Sequence, residues 1–172
     1  MTQPEPSFQQ AIEFSIVWLR AWEKGELSDE VMADRVAELI DSQNGARGFF
    51  AICLSDDSPL LDRLPEALVM QLRAAGEKII DLTVRNLAMS SAMALIHQRN
   101  ADKDLQNKSE RITARCIEIL RLLEPNAVRS RLEKLLAATK GQGKDLKFLE
   151  KWNYDNEQKL AIASSIIAVA SN

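Results

Sequence analysis

Glycine and proline are scarce, at six and five in 172 residues. A chain so poor in turn formers has few places to reverse direction, while the residues that dominate it (Ala, Leu, Ile, Glu, Arg, Lys) mostly favour helix. This is the first indication of an all-α fold. Cysteine is rarer still: Cys53 and Cys116 lie in apolar runs, without a second Cys or a His at ligand spacing. They read as small buried hydrophobes, and no metal site is expected. A single histidine, His97, is present. It falls near the end of a long helical pattern, where a cationic side chain favourably meets the negative end of the helix dipole.

Other motifs are missing as well. No Gly-x-Ser-x-Gly elbow occurs, and Cys53 lies in a setting too apolar to lower its pKa. There is no Walker-type loop, Gly45-Ala-Arg-Gly48 is too short for a dinucleotide fingerprint, and Asp56, Asp57 and Asp62 do not follow the alternation of an EF-hand. No catalytic constellation and no cofactor site emerge. The opening MTQPEPSF has neither a basic region nor an apolar core, so no secretory signal is read and a cytoplasmic location is expected. The longest uncharged stretches, 86–98 and 160–172, fall short of the ~20 residues a spanning helix requires, so no membrane segment is expected.

What is present suits an ordinary globular protein: 46 % apolar and 27 % charged residues, far from the regime of disordered chains. A chain of this size buries roughly 70 % of its unfolded surface, enough for a core without staples. Net charge is −3, unevenly spread: residues 1–100 hold 9 Lys/Arg against 15 Asp/Glu, and residues 101–172 hold 13 against 10. The mildly basic C-terminal part reads as a solvated helix face, because a nucleic-acid footprint normally brings a pI above ~9 and this chain's is 5.3.

Helical periodicity runs along almost the whole chain. Phe8, Ile12, Ile16, Leu19 and Trp22 mark a helix over 8–24, started by Ser7 and stopped by Gly25. Trp18 and Trp22 share a face of it, as core filler or as a partner anchor. Ser28, followed by Asp29 and Glu30, starts a second helix, expected to end near Gln43 because Asn44-Gly45 is a strong turn dipeptide. An apolar segment over 46–54 reads as a further helix, and Pro59 opens a short turn over 59–64. From Pro65 to Arg99 the pattern predicts one long helix, or two joined near Gly76, apolar or small almost all round beyond Leu87. This is the expected central helix. Further helices follow over 105–124, onward from Pro125 to the loop Gly141-Gln-Gly143, over 144–153, and over 157–170. The last is apolar enough to pack into the core or against a second copy of the chain. No residue pattern recurs at a fixed offset, which argues against a solenoid. The fold expected is a compact helical bundle of about six or seven helices in one domain, 1–172, with residues 1–7 as a flexible N-terminus.

The stretches Arg47-Gly-Phe-Phe-Ala-Ile-Cys-Leu-Ser-Asp-Asp-Ser-Pro59 and Asn86-Leu-Ala-Met-Ser-Ser-Ala-Met-Ala-Leu-Ile-His-Gln-Arg-Asn100 resemble uncharacterised all-helical proteins of cyanobacteria. The resemblance covers about a fifth of the chain and implies no activity.

The leading expectation is therefore a non-catalytic helical protein that acts by binding another protein or itself. The alternative is a small-molecule binder or enzyme whose polar pocket joins residues 45–62 to 97–100, using Arg47, Asp56, Asp57, His97 and Arg99. A third reading, nucleic-acid contact through 108–151, predicts steep salt dependence.

Overall fold

The computed structural model describes residues 4–171. Among them are nine α-helices, one 3-10 turn and no strand. The all-α expectation holds. Residues 1–3 of the anticipated flexible N-terminus lie outside the described residues. Ser7, the last residue of that stretch, is already a cap: its side chain accepts from the Gln10 amide while the Gln10 side chain accepts from Ser7 N.

Two compact units succeed one another, the first ending at Ile79 and the second beginning at Ile80. The first contains α1 (Phe8–Glu23), α2 (Asp29–Leu39), α3 (Gln43–Cys53), the turn Pro59–Leu61 and α4 (Glu66–Ala75). Within it α1 lies on α3 and α2 lies on α4. The α1–α3 crossing is very close, since a Cβ added to Gly48 would come within 2.4 Å of the Ala11 Cβ.

Asn44-Gly45 departs from the sequence reading. The dipeptide does not turn the chain: α2 stops at Leu39, and both residues belong to the first turn of α3. Ser42 caps that helix by accepting from the Gly45 amide at 3.0 Å. Gly45 is needed for space, because a Cβ there would lie 1.8 Å from the Leu39 carbonyl oxygen.

The second unit holds nearly all of α5 (Glu77–Arg99), with α6 (Lys103–Leu122), α7 (Pro125–Thr139), α8 (Leu146–Lys151) and α9 (Asn156–Ala170). Gly76, at φ +70°, divides the 65–99 segment into α4 and α5. Pro125 opens α7 at its first position, with Glu124 as the cap. α5 is the long helix the sequence pointed to. Its Val84, Leu87, Ala88 and Ala92 are fully buried, and its hydroxyls bond to neighbours, Ser90 to Thr113 on α6 and Ser91 to Ser165 on α9, each at 2.7 Å. By length and composition alone it could cross a membrane, and half of its apolar window is buried inside the protein. α9 rests on α6 and α7, and α8 on α7.

Arg131 of α7 ties this unit together. Its guanidinium donates to Asp81 of α5 at 2.9 Å and with both terminal nitrogens to Asp145, just ahead of α8. The Arg131 and Asp145 side chains are largely buried, so this bidentate pair operates away from bulk water.

Candidate functional site

Of the polar residues singled out by sequence, Asp56, Arg47 and Arg99 have side-chain partners within the protein. Asp56 receives a two-pronged bond from Arg20 of α1, at 2.7 and 3.0 Å, and also accepts from Ser58 N. Arg47 projects from the exposed side of α3 with its guanidinium carbon 5.2 Å from the centre of the Phe8 ring. The glycines on either side of it, Gly45 and Gly48, are buried inside that helix. Asp57 lies on the exposed connection after α3. His97 is half-buried in the last turn of α5, and its carbonyl accepts from Asp102 N in the left-handed stop made by Ala101 at φ 56°. Arg99 binds Asp155 at 2.7 Å and Glu157 at 2.8 Å, at the start of α9. This pair holds the Asp155 carboxyl below the usual carboxylate range, helped by the Gln158 amide.

Other chemistry is equally quiet. Cys53 and Cys116 are buried free thiols, and burial pushes the Cys116 thiol far up, away from thiolate reactivity. Among the described residues no three His, Cys, Asp or Glu side chains cluster to hold a metal. An open groove of about 730 Å³ runs where α1 meets α2, lined by Trp22, Glu23, Asp29 and Glu30. The Trp22 indole already donates to Asp29 there, at 2.8 Å.

The feature with most to offer is α9. Asp155 and Gln158 form a capping box at its start, Ile162 and Ile166 are buried, and Gln158 donates to the Ala92 carbonyl of α5. Its C-terminal carbonyls, which have no partner within the helix, are gathered by Arg121 of α6, which donates to the carbonyls of Ala168, Val169 and Ser171. Two of its sides are thus fastened. The remaining side is open: Leu160, Ser164, Ile167 and Ala170 form an exposed stripe at helical spacing, Leu160 68 % and Ile167 61 % exposed. A helix apolar all round normally has neighbours all round. The sequence shows the apolar composition of α9, but not which side is bare, because that depends on where α5, α6 and α7 lie.

A family model described as "Uncharacterised conserved protein UCP020893" matches residues 7–169. The chain belongs to this family. The match takes in every α-helix of both units except the last residue of α9. No curated protein and no solved structure matches the chain.

Proposed function

We propose that this protein is a non-catalytic helical protein acting in the cytoplasm through protein–protein contact, with the bare face of α9 as its contact surface. One observation carries the reading: a helix with no charge between Lys159 and its end keeps Leu160 and Ile167 in solvent. Exposing two large aliphatic side chains on one stripe forgoes about 1.5–3 kcal/mol for each, relative to burying it. An exposed apolar stripe is the kind of surface that partners cover. The alternative of a polar pocket is weaker, because Asp56 and Arg99 already spend their charges on Arg20, Asp155 and Glu157. Kinship with cyanobacterial helical proteins belongs to this proposal too, resting on the two stretches that carry the resemblance.

Light scattering with chemical crosslinking, followed by co-purification, tests the reading. Self-association or a bound protein that is lost on Ile167→Asp supports it. A strictly monomeric species that retains no partner counts against it.

A further inference from the structure

We propose that the exposed side of α8, with the turns that flank it, is a docking surface for single-stranded nucleic acid. Lys144, Lys147 and Lys151 follow one another at intervals of three and four residues, all of them exposed, while Leu149 is buried. Asp145, between Lys144 and the helix, already has helical backbone angles, so the three lysines stand on one side of the turn and helix. Lys140, exposed at the end of α7, adds a fourth cation. Trp152 ends α8 half in solvent, 50 % exposed, with the Lys151 ammonium 5.5 Å from its ring centre.

The neighbouring charges leave this surface positive. Asp145 is answered by Arg131, and Asp81 by Arg85 and Arg131, so these four groups cancel. At the start of α9, Asp155 and Glu157 stand against Arg99 and Lys159, again neutral. On α7, Arg129 and Lys134 outnumber Glu133. Glu150 alone then faces Lys140, Lys144, Lys147 and Lys151, and among the described residues none of these four lysines is held in an ion pair. The acidic pI of the whole chain comes from the first unit, with 7 Lys/Arg against 14 Asp/Glu, whereas the second has 15 against 11. A polyanion is the partner such a surface attracts. Trp152 selects its kind. A lipid surface takes up the apolar side of an amphipathic helix, and the apolar side of α8 is buried at Leu149. An exposed indole beside lysines suits a strand whose phosphates meet the cations while a base stacks on the ring. Duplex bases stack on one another and leave none for the indole, so the strand is single.

Fluorescence anisotropy of labelled oligo(dT) with the full-length chain tests this. Affinity should fall about 20- to 50-fold between about 50 and 200 mM salt, the dependence expected when three or four phosphates are neutralised. Lys144→Gln with Lys147→Gln should flatten the log–log salt slope by about 1.4. Trp152→Ala should weaken binding about 5-fold or more at an unchanged slope, and Trp152→Phe should restore it. Circular dichroism should stay the same in every variant. Ile167→Asp should leave this binding intact, which separates it from the α9 contact surface. Absence of binding at about 50 mM salt overturns the proposal, as does binding indifferent to the lysine and tryptophan substitutions. Tighter capture by phosphatidylserine vesicles or by polyglutamate than by oligo(dT) assigns the surface to a membrane or an acidic protein, and overturns it equally.

Discussion

Gly48 of α3 lies against Ala11 of α1 so closely that a methyl group on the glycine would fall 2.4 Å from the alanine Cβ and 3.1 Å from its backbone carbon. In an open helix Gly→Ala would stabilise by ~1 kcal/mol. Here the sign reverses, because backbone as well as a side chain must move. Gly48→Ala should destabilise by about 1–3 kcal/mol, the usual range for overpacking, as read from urea unfolding midpoints at unchanged m.

Ala101 ends α5 in the left-handed conformation, φ 56°, with Asp102 N bonded to the His97 carbonyl and Ala101 N to that of Gln98. Gly141 ends α7 with the same pair of bonds at φ 86°. Glycine adopts this geometry without the side-chain penalty that alanine meets. Ala101→Gly should therefore raise stability by about 1 kcal/mol, visible as a higher melting temperature.

Ser15 is fully buried on α1, and among the described residues its hydroxyl finds no partner. An unsatisfied buried hydroxyl carries a desolvation cost of about 1–3 kcal/mol, part of which alanine removes. Ser15→Ala should be neutral to stabilising by about 1 kcal/mol, while Arg131→Met, which strands the buried Asp145 carboxylate, should cost about 3 kcal/mol. Both follow from equilibrium denaturation.

Stability should fall in acid through two named carboxyls. Glu124 lies below its ordinary 4.5 because the Ala127 and Asn126 amides bond its carboxylate, and Asp155 below its ordinary 3.8 because of Arg99 and then the Gln158 amide. Groups that ionise more readily when folded contribute fully above their unfolded values. That contribution is lost as pH drops through the lower folded values. Denaturation between about pH 6 and pH 2 should show this decline, and Glu124→Gln with Asp155→Asn should flatten it.

The sequence by itself determined the all-helical class and several of the helix starts, though it counted about six or seven helices where nine are found among the described residues. Ser7, Ser28 and Pro125 mark helix beginnings in both readings, since capping depends on residues three or four apart. Apolar period likewise located the helix over 8–24, because a 3.6-residue repeat is a local property. Tertiary structure decided the rest. Asn44-Gly45, a turn by composition, was drawn into α3 because only a residue without a side chain fits beside the Leu39 carbonyl. Arg47, Asp56 and Arg99 looked like ligands for a guest, but partners far away in sequence, or a ring in Phe8, took up their side chains. On α9 the chain specified an apolar helix, and the packing of α5, α6 and α7 around it left one stripe uncovered, since which side of a uniformly apolar helix meets solvent depends on its neighbours and not on its own residues.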